Sequence, residues 1–310
     1  MRKAIALGIA ILMPALLFFG CAKVKIPDSN TITVTDATGA AVALPVNPKR
    51  VAVLFSSFAD IWVTAGGTVA VTVQESIDRG FADSSAVLVD GGAGKTINLE
   101  QLVAAKPDLV ILSSDIDAQK KAAAFCTAAG IPAVAFRVES FVDYLSVFEI
   151  FTKLTQRQDL YEKYGLQLRN QIDATISSLP TVEREIPILF IRAGSGARST
   201  KAKGTKDHFA CGMLSELGVR NIADSAPVLL DGLSFEEILL QDPEHIFITT
   251  MGDADAAISY IQTILKQPQW QTLQAVQSGK VHILPKELFQ YKPNARWAEA
   301  YRYLINTIYE

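Results

Sequence analysis

The densest run of chemically active side chains lies between Arg192 and His208. Arg192, Arg198, Lys201, Lys203 and Lys206 fall within fifteen residues that contain no acid. The whole chain carries 29 basic and 32 acidic residues, a net charge of −3, so this stretch is a local positive field. Guanidinium and ammonium groups gathered in one place recognise carboxylate and phosphate-like oxygens. The stretch therefore points to an anionic ligand, with Gly194, Gly196 and Gly204 lending it flexibility. His208 closes the run and is a candidate axial ligand for a haem iron. Tyr291, beside Phe289 and Lys292, offers a ring to stack on a planar ligand and a phenol to coordinate iron. His245 and His282 open strand-like segments and read as structural. With only His208 so placed, a bare Zn or Mn site is not expected. Cys126 and Cys211 fall in separate helical segments and read as buried free thiols.

A second constellation is a repeat. The segment 98–114, from Asn98 to Ser114, aligns without gaps on 234–250, from Ser234 to Thr250, at an offset of 136. An N-cap residue, an acid (Glu100, Glu236), a proline (Pro107, Pro243), a second acid (Asp108, Glu244) and an apolar strand all coincide. Each of Glu100 and Glu236 sits in the first turn of a helix, where the helix dipole favours a negative charge. Capping explains one such acid; it does not explain recurrence at the matching place in each half.

Catalytic patterns fail on their spacing. Gly94-Lys95-Thr96 lacks the earlier glycine of a phosphate loop, because Val89 occupies that position. Gly194-Ser-Gly196 has Ser199 where a dinucleotide fingerprint has its third glycine, and the next helix begins only near Asp207. There is no G-x-S-x-G, H-E-x-x-H or C-x-x-C pattern. The expectation is that the chain is not an enzyme and carries no cofactor. A secreted two-domain α/β enzyme is the remaining reading from another class.

The elements that must position these residues alternate in type. Apolar runs at Arg50–Phe55, Val69–Val73, Leu109–Leu112 and Ala133–Phe136 are separated by helical patterns, and the alternation resumes after Pro180 with Ile186–Ile191, Glu244–Thr249 and Lys280–Leu284. Unalternated apolar strands between helices indicate parallel sheets covered on both faces. Thr31–Thr35 followed by Asp36-Ala-Thr-Gly39 reads as a hairpin. Between the halves, Leu160, Tyr164, Leu168, Ile172 and Ile176 form one stripe at a spacing of four. A helix over 158–179 would extend about 33 Å at 1.5 Å per residue. The expected fold is α/β, with two Rossmann-like lobes joined by one long connecting helix. The expected boundaries are a lobe over 31–157, the helix over 158–180 and a second lobe over 181–310. Ligands of such lobes bind beyond the carboxyl ends of the strands. In the first lobe this selects Ser57 and Phe58, with Gln74, Glu75, the segment 91–95 and Ser113 to Asp115. In the second it selects 192–207, 227–231, 249–253 and 289–293.

Composition sets the compartment. Hydrophobic residues make up 49% and charged residues 20%, which excludes global disorder, and the acidic balance excludes a general nucleic-acid binder. Arg2 and Lys3 precede an apolar run over 4–19 that is short of the ~20 residues of a spanning helix, the layout of a secretory signal peptide over 1–20. Gly20-Cys21 closes the run and resembles the lipidation box of bacterial lipoproteins, although Phe18 stands where that pattern has leucine. Cys21 is the expected lipidation site, and 21–30 the expected tether to the outer face of the membrane.

The signal, the two α/β halves, the connecting helix and Asn98-Leu-Glu-Gln-Leu followed by Lys106-Pro-Asp-Leu-Val-Ile resemble the solute-binding lipoproteins of bacterial ABC importers for iron–siderophores, haem and cobalamin. The resemblance covers about residues 31–310. It implies a monomeric receptor that captures a ferric siderophore between its lobes and hands it to a permease with its ATPase, haem or cobalamin being the alternatives. In such receptors one glutamate on each lobe docks into arginine pockets of the permease, which selects Glu100 and Glu236. The segment from Ser199 to Thr205 is similar to an S-x-x-A-K-G-S stretch of relatives, which adds to the expectation that the basic loop, with Arg192, Arg198, Lys201 and Lys203, contacts the ligand; Ser57, Phe58, His208 and Tyr291 are expected to contact it from their positions.

Overall fold

The computed structural model describes residues 30–90, 96–179 and 185–309. β1 (Thr31–Thr35) and β2 (Ala41–Pro45) form the expected antiparallel hairpin. Its turn is held by the Asp36 carboxylate, which accepts from the Thr38 amide and hydroxyl and from the Ala40 amide.

β3 (Val51–Val53), β4 (Val71–Thr72), β5 (Val87–Leu88), β6 (Leu109–Ser113) and β7 (Ala133–Phe136) build a parallel sheet in the order β5-β4-β3-β6-β7. The period of two sorts its side chains between two apolar layers. Val51, Val53, Leu109, Ile111, Val134 and Phe136 join one cluster, while Ala52, Leu54, Val110, Leu112, Ala133 and Ala135 join another on the opposite face. Both faces are buried, which is why these strands read as unbroken apolar runs.

The second sheet contains β8 (Ile186–Ala193), β9 (Lys201–Ala202), β10 (Val219–Asn221), β11 (His245–Thr250) and β12 (Val281–Ile283). Its parallel order is β10-β8-β11-β12, and β9 pairs antiparallel with β8. Leu189, Ile191, Ile246 and Ile248 face an outer cluster. Ile188, Phe190 and Phe247 face inward, into the same cluster that takes the inner face of the first sheet. β5, β9 and β10 have no counterpart in the sequence reading, being too short for a hydrophobic period to mark them.

The connector follows the expected stripe with one departure. A helix over Phe141–Thr155 ends at Gln156, whose φ of 56° stops it, and helical backbone resumes at Gln158 and runs to Ser177. A π-helical turn, Glu162–Leu166, interrupts this stretch. Gly165 lies in that turn; a Cβ there would sit 2.9 Å from Leu145 Cδ1. The Tyr144 hydroxyl donates to the Tyr164 carbonyl at 3.0 Å, taking up a carbonyl of the widened turn. Leu168 and Ile172 are buried, and Leu160, Tyr164 and Ile176 pack beside them on the cluster shared by the two sheets.

The repeat is visible in the backbone. The helix Leu99–Ala104 leads to β6, which lies beside β3; the helix Phe235–Gln241 leads to β11, which lies beside β8. Lys106 and Asp242 end these helices in the left-handed region, with φ of 50° and 36°. After each, Asp108 N donates to Arg50 O and Glu244 N to Pro187 O. The caps differ. Asn98 accepts from the Gln101 amide at 3.0 Å, whereas Ser234 makes no capping bond and its hydroxyl lies 3.4 Å from the Glu236 carboxylate.

Candidate ligand-binding site

In each sheet the strand order reverses direction beside its first strand, between β3 and β6 and between β8 and β11, and crevices form at the carboxyl ends of such pairs. In the second lobe these ends are in register, Arg192 opposite Thr249 and Ala193 opposite Thr250. A cavity of about 270 Å³ opens there. Arg192, Thr249, Thr250 and Met251 line it from the strand ends, Asp207, His208 and Phe209 from the start of the helix Phe209–Glu216, and Gln290 and Lys292 from the segment before the last helix. Glu139, just beyond β7, lines it from the first lobe.

Two cations, Arg192 and Lys292, and two acids, Glu139 and Asp207, meet at this cavity. Lys292 Nζ lies 2.8 Å from Glu139 Oε2, and its side chain is only 18% exposed. Burial pushes the Lys292 ammonium below the ordinary lysine value, and the neighbouring Glu139 carboxylate opposes that shift. Lys292 Nζ also sits 4.5 Å from the centre of the Phe209 ring. Arg192 Nε is buried without a hydrogen-bond partner among the described residues. An unpaired buried N–H of a permanent cation is costly unless an acceptor reaches it, and a ligand oxygen in the cavity could supply one.

His208 is a neutral member of this group. Its ring packs between Phe190 and Phe209, with centroids 4.9 Å and 4.8 Å away. Burial, aided by Lys292, Arg192 and Lys203, pushes its pKa down to about 3. Nδ1 accepts from the Ala210 amide at 3.2 Å, so it caps the helix Phe209–Glu216. The proton of the neutral ring then sits on Nε2.

The other residues selected from the sequence lie elsewhere. Lys201 is on β9, opposite Arg192, and Lys203 is half-buried, its ammonium lowered first by burial and then by Arg192. Arg198 is exposed on the 3-10 turn Ala197–Ser199, and Lys206 is exposed. None of the four lines the cavity. A Cβ on Gly194 would meet Ser199 Oγ at 2.3 Å, so that glycine permits a close chain approach. Asp207 accepts from the Gly204 amide and Asp224 from the Thr205 amide and hydroxyl, which offsets part of the positive field.

Ser57 and Phe58 are 3% and 2% exposed. Phe58 packs edge-on against Phe55 and Phe136, and the Ser57 carbonyl accepts from Asn294 Nδ2 at 3.0 Å, a contact between the lobes. The Tyr291 ring is covered by Arg79, whose guanidinium lies 3.8 Å from the ring centre, and Lys286 Nζ approaches to 5.0 Å. Its face is thus occupied by a cation from the first lobe. Residues 91–95 and Cys21 lie outside the described residues. Glu100 and Glu236 are exposed. Cys126 and Cys211 are buried and unbridged, and burial pushes the Cys126 thiol up to about 11. Among the described residues no group of histidine, cysteine and acidic side chains is arranged to hold a metal ion.

Glu139 had no signal in the sequence reading, although the loop after β7 belongs to the same set of strand ends that selected the others.

Residues 51–288 match the family model described as periplasmic binding protein. The chain belongs to the periplasmic binding protein family. A relative from Halobacterium salinarum, named a cobalamin-binding protein, is 23% identical over 282 residues, covering 88% of this chain and 74% of its own. Among solved structures, the petrobactin-binding protein YclQ of Bacillus subtilis superposes with a TM-score of 0.67 at 20% identity, over 89% of this chain and 96% of its own. The periplasmic haem-binding protein RhuT of Roseiflexus sp. RS-1 gives 0.68 at 17% identity, over 84% and 98%. These likenesses carry the two-lobed fold, and membership of the periplasmic binding protein family implies an extracytoplasmic location. Among the described residues no helix is long and apolar enough to cross a membrane.

Proposed function

We propose that this periplasmic binding protein is the receptor of an ABC importer and captures an anionic iron complex, a ferric siderophore, in the cleft between its lobes. The observation that carries the reading is the pair of half-buried cations at the cavity, Arg192 with its buried, unpaired Nε and Lys292. A cavity of about 270 Å³ is just below the roughly 300 Å³ at which ligand pockets begin, so admitting a chelate would require the lobes to separate. The lobes are taken as 31–157 and 181–310, joined by 158–180. Glu100 and Glu236 are the permease-docking acids. Cys21 is the lipid attachment site after removal of 1–20, anchoring a monomer to the outer face of the membrane. The protein performs no catalysis, holds no cofactor of its own and binds no nucleic acid.

Haem or cobalamin is the second reading, favoured by the named relative and by the place of His208 at the cavity. Coordination of a haem iron through His208 Nε2 would move its proton to Nδ1 and break the helix cap, which disfavours haem. Native mass spectrometry after incubation with a mixture of ferric carboxylate and catecholate siderophores, haemin and cyanocobalamin tests the reading. Retention of a ferric siderophore is expected. Retention of haemin with a Soret band, or of cyanocobalamin alone, would replace it with the second reading.

A further inference from the structure

The cation that the cleft offers to a ligand is already paired, and the acid that pairs with it comes from the other lobe. Glu139 reaches across from the end of β7 to Lys292, 153 residues away in the chain. The two partners are unequal. The Glu139 side chain is 40% exposed and Lys292 18%. Among the described residues the Glu139 carboxylate has no other hydrogen-bond partner, whereas the Glu139 amide is separately held by Asp143 at 2.9 Å. The other acid at the cavity, Asp207, accepts from the Gly204 amide and belongs to the lobe that carries the cations. The carboxylate of Glu139 can therefore leave into water at small cost. Lys292 is half-buried against Phe209, with Asp115 as a further and weaker acidic neighbour, so losing Glu139 costs it its one directly bonded counter-charge in a largely dry setting.

We infer that Glu139 is a built-in competitor for the ligand, occupying the anion position on Lys292 until an anionic group of the ligand displaces it. The inference rests on the reading of the cleft as an anion-binding site. An incoming carboxylate or catecholate oxygen takes the place of Glu139 on Lys292 and brings an acceptor within reach of Arg192. The displaced carboxylate turns to solvent. A neutral ligand cannot make this exchange: it must share the cavity with the Glu139–Lys292 pair or strand the ammonium. Glu139 thus lowers affinity for anions in absolute terms while selecting them over neutral molecules. Its position on the opposite lobe also ties the exchange to opening of the cleft, since the pair spans the gap.

The consequence is that removing an acid from the site strengthens binding. Glu139→Gln keeps the shape and leaves an amide oxygen that Lys292 can still donate to. Equilibrium titrations monitored by tryptophan fluorescence use ferric citrate and haemin as anionic probes and cyanocobalamin as a probe lacking net charge, with wild type, Glu139→Gln and Lys292→Met. Glu139→Gln should bind the anionic probe that wild type binds at least threefold more tightly, cyanocobalamin should be unaffected, and Lys292→Met should bind the anion at least tenfold more weakly. Equal or weaker anion binding by Glu139→Gln, with wild type binding normally, overturns the inference and leaves the anion site standing. Tighter binding of charged and neutral probes alike makes Glu139 a steric plug and also overturns it. If neither wild type nor Glu139→Gln binds any anionic probe, the anion site itself falls, and the inference with it.

Discussion

His208 shows how a single residue changes meaning once its surroundings are known. By type and position it is a candidate metal ligand; in the fold it is a neutral helix cap held between two phenylalanines. Its folded pKa of about 3 lies below the unfolded value of 6.5, so the neutral form is favoured by folding. The stability this contributes is fully present above pH 6.5 and is lost as pH falls from there toward 3. Between pH 7 and pH 5 the loss amounts to about 2 kcal/mol. His208→Asn keeps a capping acceptor and removes the titration. Urea unfolding of the variant should therefore lose less stability between pH 7 and pH 5 than wild type, by about 1–2 kcal/mol. An identical loss would show that another group, such as His245, whose pKa is also pushed down by burial, dominates. Other residue roles were legible only in part. Arg192 stood out because it ends an apolar strand at the start of a basic run. Phe58 was selected by the same strand-end rule, but its ring turns inward to Phe136, a choice set by packing that no sequence position specifies.

At the scale of elements, the repeat was legible because each copy must solve the same problem, ending a helix, turning at a proline and entering the strand beside the first one. The left-handed residues Lys106 and Asp242 do this at matching places, at a conformational cost that glycine avoids. Lys106→Gly should then raise stability by roughly 0.5–1 kcal/mol in denaturant unfolding. Asp242→Gly should not, because Asp242 Oδ1 accepts from the Gln274 amide at 2.9 Å and that bond would be lost. Equal gains at both positions would mean that the Asp242 contact contributes nothing. The connecting helix was legible from its stripe of five apolar residues, and its π turn was not. That turn depends on Gly165 meeting Leu145 of another helix, a contact outside any local pattern. β5, β9 and β10 were illegible for a related reason: two or three residues gain strand character only from the partner beside them.

At the scale of the molecule, the inner faces of both sheets and the connecting helix share one apolar cluster, and cross-lobe contacts at Asn294, Arg79 and Lys292 line the gap. A molecule built this way presents the start of one helix on each lobe, with Glu100 and Glu236 exposed. Replacing both with alanine should leave thermal unfolding and ligand affinity nearly unchanged, since exposed single charges, helix dipole included, contribute little to folding, roughly 0–1 kcal/mol each. Binding to the permease in detergent or nanodiscs should fall at least tenfold, because truncating one member of a buried charge pair costs about 2 kcal/mol or more. Normal docking by the double variant would remove these acids from the contact.

The proposed function requires an anionic iron chelate to be held in the cleft by Arg192 and Lys292. It is tested most directly by fluorescence titration of Arg192→Gln against wild type with the ferric siderophore that wild type retains. Affinity should fall at least tenfold, with a melting temperature near that of wild type. Unchanged affinity in a folded Arg192→Gln protein would contradict it.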